Sequence, residues 1–436
     1  MSKRRELNWI AIGTMWAMLC MISFVTNIAA PFGNIWTTHY EWAGMAGNLM
    51  NFVAYLFMGV PAGALVVRYG YKRTVLIALA VGAVGMGLQL LSGYVGAETD
   101  IMTLANASIQ LNFLIYLLGA LVCGFCVCIL NTSVTPMINL LGGGGKVGYQ
   151  LIQAGGTINS LVGMTAPMAT GILIGTLTKE SAIGDVAPLC LVAMSIFIVA
   201  LVLVSIIRID EPQGDLSKET FRYSPLRFRH FRLGALAIFC YVGTEVGIPS
   251  EMNAWISHLT DAIGLPIEGS AAVAGSLAAA YWFMMMVGRF LSTFITSVVS
   301  PRMQMNVACI TAIILLLVAQ VTDDMQIHVF SANVPLSCLF IVLCGLCTAV
   351  MWAAIFNLAT EDLGKYTAKA SGIFMTMVVG GGIMPFIQES VLRPQVGYLG
   401  SYALVIAMLF YILYYSLWGS RNIDHELLAA ENETNN

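Results

Sequence analysis

Long apolar runs alternate with short polar breaks along almost the whole chain. A helix needs roughly 20 mostly apolar residues to cross the hydrocarbon core of a bilayer, and twelve stretches of the chain meet this requirement. The predicted spans are 8–33, 45–67, 74–93, 111–141, 147–176, 188–207, 233–257, 270–299, 304–321, 335–358, 370–391 and 398–418. The pattern therefore predicts an all-α membrane protein with twelve transmembrane helices.

One long stretch, residues 208–232, stays polar and charged, and it lies between the sixth and seventh predicted helices. It contains six basic residues and the helix breakers Pro212 and Pro225, which is typical of a water-exposed linker. We therefore expect four parts in the chain. They are a six-helix bundle (1–207), a cytoplasmic linker (208–232), a second six-helix bundle (233–420) and a cytoplasmic tail (421–436).

The positions of lysine and arginine predict the orientation, because basic residues are retained in cytoplasmic loops. An N-terminus in the cytoplasm places eighteen of the 20 basic residues on that side, and only Lys179 and Arg393 on the other. This bias predicts an inner (plasma) membrane protein with both termini and the linker in the cytoplasm.

The composition excludes an ordinary soluble protein. Hydrophobic residues make up 58% of the chain and charged residues only 10%, against about 25% charged residues in soluble domains. The net charge of -3 and the lack of a basic stripe give no indication of nucleic-acid binding. The apolar run after the basic N-terminal residues is too long for a signal peptide, so we expect it to remain as the first helix.

The two halves repeat short sequences at corresponding helices. Ala46-Gly47-Asn48-Leu49 in the second helix returns as Ala274-Gly275-Ser276-Leu277 in the eighth, and Cys123-Gly124-Phe125-Cys126 in the fourth returns as Cys344-Gly345-Leu346-Cys347 in the tenth. Such repeats indicate a duplicated bundle. Two related bundles that face each other predict a cavity at the membrane midplane, as in an alternating-access transporter.

Polar side chains within the spans are the candidate binding residues, because they are costly in the membrane and usually face the interior. The substrate-binding candidates are Asn27, Asn131, Gln153, Asn159, Glu245, Trp352 and Asn357. Amides donate and accept hydrogen bonds, which suits a neutral polyhydroxylated ligand, and a tryptophan can stack on a sugar ring. The alternative is that these groups only bind helices to one another.

Several motifs that suggest chemistry have simpler explanations. The run Gly142–Gly145 has no preceding strand and no GK[ST] sequence, so we expect a turn and not a phosphate loop. Gly380–Gly382, before Pro385, predict close packing and a kink. The two CGxC pairs have no nearby histidine, which favours helix packing over a redox or zinc site. We expect no enzyme activity, cofactor or metal.

The segment from Gly63 to Arg73, GALVVRYGYKR, resembles the loop signature GxLxDRxGxRR of the major facilitator superfamily, with Val67 in place of the aspartate. Over most of its length the chain is similar to the fucose-galactose-glucose:proton symporter family, the fucose permease type. The likeness also rests on Leu130–Pro136, Ile158–Ser160, Gly288-Arg289-Phe290 and Gly380–Ile383. It implies that Gly63, Arg68, Gly70, Arg73 and Arg289 belong to conformational or loop motifs.

The sequence differs from that family at two informative positions. The family carries an aspartate in the first helix and a glutamate in the fourth, and the resemblance implies that these positions act in sugar binding and proton coupling. Here Asn27 and Asn131 replace them. An amide can bind a sugar hydroxyl but cannot take up a proton. Glu245 is the best remaining carboxylate for coupling, and Glu251 is second, although its simpler interpretation is a loop residue at the outer end of the seventh helix.

The sequence therefore predicts a monomeric secondary transporter that takes up a monosaccharide or a related small polar nutrient. Its expected partners are the sugar, the lipid bilayer and either H⁺ or Na⁺ as the coupling ion. Two alternatives stay open at this point. One is a drug or metabolite exporter of the same superfamily, and the other is a membrane sensor that binds its ligand without transport.

Overall fold

The computed structural model describes residues 7–40, 46–97, 99–104, 107–174, 186–209, 211–214, 216–219, 221, 223–258, 270–329 and 332–422. Seven helices are single elements: α1 Trp9–His39, α4 Leu111–Leu141, α5 Gly145–Ile174, α6 Ala187–Ile206, α7 Arg229–Ser257, α8 Ser270–Ile295 and α9 Pro301–Val321. Two short 3-10 turns, Leu216–Lys218 and Pro225–Arg227, lie in the linker.

The other helices are bent or broken. Ala46–Ser92 bends at Gly70, which separates α2 (46–69) from α3 (71–92). Helix α10 consists of Ser337–Thr348 and Met351–Ala359. Helix α11 follows a 3-10 turn at Gly364–Tyr366 and runs through Thr367–Thr376, the 3-10 turn Met377–Val379, Gly380–Ile387 and the π-helical Gln388–Leu392. Helix α12 comprises Arg393–Tyr414, with a break at Gly397, and the π-helical Tyr415–Gly419.

These elements confirm the predicted all-α fold of twelve helices. Among the described residues, nine stretches are long and apolar enough to cross a membrane. Two of them, 49–92 and 364–419, contain 44 and 56 residues and so hold two crossings each. Helix α5, with 30 residues, is the remaining predicted span. The chain is therefore a multi-pass membrane protein.

The starts of two helices differ from the predicted bounds, and at one of them a cap extends the helix. Helix α9 begins at Pro301 rather than at residue 304, since Ser300 is its N-cap and accepts a hydrogen bond from the Met303 amide at 3.3 Å. Serine before a proline at the first helical position is a strong start signal. Helix α7 begins at Arg229 rather than at 233, without a side-chain cap at Phe228. Part of the predicted orientation rests on residues outside the described ones: Lys3, Arg4, Arg5, Lys179, Arg222 and 423–436.

Two β-hairpins were not predicted. Strands β1 (Asp100–Leu104) and β2 (Ala107–Gln110) pair antiparallel between α3 and α4, and β3 (Gln326–Val329) and β4 (Ala332–Pro335) pair between α9 and α10. Both hairpins occupy the same place in their half of the chain, which agrees with a duplicated bundle.

By its internal contacts the chain forms two compact units. The first contains Met1–Leu141, Leu161–Thr220 and Lys365–Thr376, and the second contains Gly142–Ser160, Phe221–Gly364 and Met377–Asn436. The α5 and α11 helices thus contribute one segment to each unit.

The repeated CGxC motifs make equivalent helix contacts. A Cβ added at Gly124 of α4 would lie 2.6 Å from the Ala54 Cβ on α2. A Cβ added at Gly345 of α10 would meet the Tyr281 carbonyl on α8 and lie 3.1 Å from the Met284 Cβ. Each glycine lets its helix approach the helix two positions earlier in its own unit. The four cysteines of the motifs are free and buried, as the packing interpretation predicts.

Candidate functional site

A buried ion pair in the second unit joins α7 to α8. The Glu245 carboxylate oxygen Oε1 accepts a hydrogen bond from Nη2 of Arg289 at 3.3 Å, and the two side chains are 15% and 12% exposed. A charge at membrane depth is costly unless it is paired, and paired charges there often mark an ion or substrate site. Arg289, inferred as a motif residue, is therefore the partner of the predicted coupling residue.

The same guanidinium also reaches α5. Its Nη1 donates to the Ser160 hydroxyl at 2.9 Å and to the Gly156 carbonyl at 3.4 Å. A Cβ at Gly156 would lie 3.3 Å from the Arg289 Cδ, so the glycine leaves room for the arginine stem. Arg289 thus connects three helices of the second unit.

Aromatic side chains surround this pair. Tyr241 lies one turn before Glu245 on α7, and its hydroxyl is buried without a hydrogen-bond partner among the described residues. Its ring is 6.2 Å from the ring of Trp352 on α10, at an interplanar angle of 56°. The Tyr281 hydroxyl on α8 bonds to Thr348 at 3.0 Å. An aromatic wall beside a hydrogen-bonding charged pair suits a ligand with both apolar and hydroxyl faces, such as a sugar ring.

Gln153 takes part in a buried network that joins four helices, α5, α8, α9 and α10. Its Nε2 donates to the Tyr149 hydroxyl and the Ser292 hydroxyl, both at 3.0 Å, and to the Ala349 carbonyl at 3.4 Å. Ser292 in turn donates to Gln304 at 2.6 Å. The side chain of Gln153 is therefore engaged with the protein, which is the helix-binding role that the sequence left open.

Asn357 is engaged in a similar way. Its amide donates to the Gly145 carbonyl at 3.0 Å, at the start of α5. That carbonyl follows a turn in which Gly143, Gly144 and Gly145 all have positive φ, of 77°, 74° and 56°. The glycine run is thus the turn that the sequence predicts, because only glycine adopts these angles without strain.

Glu251 forms a different kind of pair. Its two oxygens accept hydrogen bonds from Nε and Nη2 of Arg393, both at 2.8 Å, and its side chain is 3% exposed. The expectation of a loop residue is wrong, because α7 continues to Ser257 and the carboxylate is buried in it. A bidentate pair with short bonds on both oxygens fixes the two side chains strongly.

The first unit holds two of the predicted asparagines. Asn131 on α4 donates to the Tyr55 hydroxyl on α2 at 2.6 Å. Asn27 on α1 donates to the Ser23 carbonyl of its own helix at 2.7 Å. A Cβ at Gly163 of α5 would lie 3.4 Å from the Asn27 amide nitrogen, so this part of α5 passes directly beside it.

Asn159, in the second unit, has an acceptor without a partner. Its side chain is half-buried, and its Oδ1 is shielded from solvent with no hydrogen-bond partner among the described residues. A buried amide oxygen without a donor is costly. It is therefore suited to accept a hydrogen bond from a ligand.

The predicted loop motif between α2 and α3 has a specific backbone geometry. Gly70 has φ 79° and ψ 171° at the bend, in a region that favours glycine. Arg68 and Arg73 are exposed, and the Arg68 guanidinium lies 5.3 Å from the centre of the Tyr69 ring. Gly63 lies against α11: a Cβ there would be 3.0 Å from the Ala368 carbonyl.

A carboxylate from the linker binds the first residues of α3. Glu211 accepts hydrogen bonds from the backbone amides of Tyr71 at 2.8 Å and Lys72 at 3.0 Å. The first amides of a helix lack partners within it, and a negative charge there is favourable. Although Val67 leaves the loop signature without its aspartate, a carboxylate 140 residues away along the chain is present at this helix start.

An apolar groove of about 790 Å³ lies apart from all these residues, between α1 and α6 of the first unit. It is lined by Gly13, Thr14, Ala17, Met18, Met21, Leu191, Val192, Ser195, Ile196, Val199, Ala200, Leu203, Val204 and Ile207. Its lining has almost no polar group that could recognise a sugar, so the hydrogen-bonding clusters above are the better candidate site.

Sequence reasoning selected Glu245 as a candidate but did not predict its arginine partner. The available signal was the rule that a cation within a membrane helix needs a nearby carboxylate; it applies to Arg289 directly. Tyr55 and Tyr149 carried no comparable signal, because tyrosine is common both in helix cores and at interfaces.

Comparisons with known proteins agree with these features. A sequence model of the Major Facilitator Superfamily matches residues 10–386. The glucose/galactose transporter of Brucella abortus is 29% identical over 426 residues, which cover 94% of each chain. The L-fucose-proton symporter of Escherichia coli is 23% identical over 407 residues, which cover 84% of each chain.

The fold is also similar to a crystal structure of the E. coli fucose:proton symporter. The TM-score is 0.74, the sequence identity is 18%, and the match covers 93% of this chain and 98% of the other. At this identity the structural match establishes a shared fold.

Proposed function

Because the chain belongs to the Major Facilitator Superfamily, we propose that it takes up a neutral hexose by proton-coupled symport with alternating access. Its relatives include transporters named for glucose and galactose and for L-fucose with a proton. From the distribution of its basic residues we also infer that both termini lie in the cytoplasm and that the protein is in the inner membrane.

Amide groups support the choice of a sugar. Asn131 is held by Tyr55 at 2.6 Å, and the Oδ1 of Asn159 is buried without a donor. A ligand hydroxyl can donate to such an oxygen, whereas an anion cannot. Asn27 is the third member of this set, and an amide at all three positions favours a neutral ligand over a charged one.

The two glutamates of α7 differ in a way that supports Glu245 as the coupling residue. Arg393 binds both oxygens of Glu251 at 2.8 Å. Arg289 contacts only Oε1 of Glu245, at 3.3 Å. A carboxylate with one long contact exchanges its arginine for a proton more readily than one held at both oxygens. The observation that carries the proposal is this loosely paired, shielded carboxylate one turn from the aromatic Tyr241.

The test is uptake by purified protein in proteoliposomes. Labelled D-glucose, D-galactose and L-fucose are each supplied under an inward proton gradient, an inward sodium gradient or no gradient. We expect accumulation of at least one hexose with the proton gradient only. Accumulation driven by the sodium gradient would mean that Na⁺ is the coupling ion, and the proposed substrate class would stay the same. Binding of a hexose without flux would favour a sensor, and no hexose uptake or binding would contradict the proposal.

A further inference from the structure

The guanidinium of Arg289 has acceptors on two other helices at once. One nitrogen, Nη2, donates to Glu245 of α7 at 3.3 Å, while Nη1 donates to Ser160 of α5 at 2.9 Å and to the Gly156 carbonyl at 3.4 Å. The neutral acceptor Ser160 is closer than the charged one. The arginine is thus shared between α7 and α5 rather than committed to the carboxylate.

Arg393, the other arginine paired with a glutamate of α7, is arranged differently. Two of its nitrogens bind Glu251 at 2.8 Å, and the third lies 3.4 Å from Glu389. All three nitrogens therefore donate to carboxylates, and none of them donates to an uncharged acceptor among the described residues. The Glu251–Arg393 pair is therefore a fixed structural pair, whereas Arg289 can shift its hydrogen bonds from Glu245 to α5.

The consequence follows from electrostatics. With Glu245 ionised, the charge of Arg289 is balanced by the carboxylate. If Glu245 takes up a proton from water, its charge disappears and Arg289, only 12% exposed, must be stabilised by its remaining acceptors. The oxygen acceptors that remain are Ser160 and the Gly156 carbonyl, and the only other acceptor among the described residues is the Met285 sulfur at 3.4 Å, so α5 becomes the main anchor of the charge.

The affected part of α5 adjoins Asn159, which we propose binds the sugar. Ser160 is its neighbour in sequence, and Gly156 lies one turn earlier, in contact with the Arg289 stem at a Cβ distance of 3.3 Å. A change in how strongly Arg289 holds this segment changes the position of Asn159.

We propose that Arg289 is a positioning residue that transmits the protonation state of Glu245 to the sugar-binding segment of α5 through Ser160 and Gly156. The proton comes from the outer water, binds the Glu245 carboxylate and leaves on the other side, with no other bond made or broken. The titratable and charged groups that face Glu245 are Arg289 and Tyr281 from α8 and Tyr241 from its own helix. This inference rests on the proposed function.

The main experiment compares sugar exchange, which needs no net proton movement, with gradient-driven accumulation in proteoliposomes. The variants are Glu245→Gln, Arg289→Gln and the double variant. We expect Arg289→Gln to slow exchange by roughly tenfold or more, because it leaves a buried carboxylate unpaired. Adding Glu245→Gln should restore exchange to the level of Glu245→Gln alone, while accumulation stays absent in all three.

A second variant avoids dependence on the folding of Arg289→Gln. Ser160→Ala removes the α5 hydroxyl and should shift the pH dependence of exchange by roughly half a unit or more. Ser195→Ala is the matched control, since Ser195 is exposed on α6 and donates only to the Leu191 carbonyl of its own helix; its pH profile should match that of the unaltered protein.

The outcomes separate the two proposals. If the unaltered protein exchanges no hexose, the proposed function is wrong, and the role of Arg289 falls with it. If it exchanges and accumulates a hexose, the role of Arg289 is overturned by either of two results. One is a folded double variant that exchanges no faster than Arg289→Gln, and the other is a Ser160→Ala pH profile identical to the control.

Discussion

Gly63 of α2 and Gly372 of α11 lie in direct backbone contact within the first unit: a Cβ added to Gly372 would be 2.8 Å from the Gly63 Cα. Gly59, one turn earlier on α2, would place its Cβ 2.6 Å from the Thr376 amide. The pair Gly59 and Gly63 forms a GxxxG pattern, which lets membrane helices approach closely. The motif glycine at position 63 therefore serves a helix contact.

We expect Gly372→Ala to destabilise the protein by about 1–3 kcal/mol, since the new methyl group must displace backbone atoms. Transport should fall with it. Thermal unfolding in detergent and initial uptake rates measure the two effects. Gly275→Ala on α8 is the control, because a Cβ there meets nothing within 4 Å. An unchanged unfolding temperature for Gly372→Ala would mean that the two helices do not need this close contact.

Glu211→Ala should lower stability by about 1 kcal/mol, since it removes the acceptor for the first two amides of α3. The free energy of unfolding, measured in detergent, checks this. Glu219→Ala is a suitable comparison: Glu219 is 47% exposed and pairs with Lys365 at 3.6 Å, and surface pairs of this kind contribute little. Equal losses in both variants would argue against a specific role of Glu211 at the helix start.

Asn131→Ala should abolish hexose uptake and leave the protein folded. Tyr55→Phe should have a weaker effect and chiefly raise KM, because it removes the hydroxyl that orients the Asn131 amide at 2.6 Å. Uptake kinetics and sugar-dependent tryptophan fluorescence report the two changes. Normal transport by Asn131→Ala would remove this residue from the site.

Glu251→Gln should cost about 3–5 kcal/mol of stability, because it leaves Arg393 without its buried carboxylate partner. The double variant Glu251→Gln/Arg393→Gln should recover part of this loss. In both variants that still fold, the ratio of accumulation to exchange should equal that of the unaltered protein. A selective loss of accumulation, as expected for Glu245→Gln, would instead assign coupling to Glu251.

The hydrophobic pattern was sufficient to predict twelve helices, because membrane helices are defined by length and apolarity. It could not predict the β-hairpins between α3 and α4 and between α9 and α10, whose strands of four or five residues are too short to give a clear pattern. Helix ends were misplaced where a cap such as Ser300 extends the helix beyond the apolar run.

The candidate site residues could be selected one by one from the sequence, but the contacts between them could not. Membrane cost alone singled out Glu245 and Asn131, yet their partners Arg289 and Tyr55 lie 44 and 76 residues away along the chain. Gln153 and Asn357 show the converse. Both were selected because they are polar, and the structure engages both with other parts of the protein. Only three-dimensional packing distinguishes an amide that binds a helix from one that is available to a ligand.

Within the linker, a short segment is held by side-chain contacts at both of its ends. Glu219 is tied to Lys365 within the first unit, and Tyr223 stacks under Arg227 at 4.7 Å within the second. The chain from 219 to 223 spans at most about 14 Å when fully extended. These two contacts therefore fix residues that are only four positions apart, and the chain between them can take up no more than this distance.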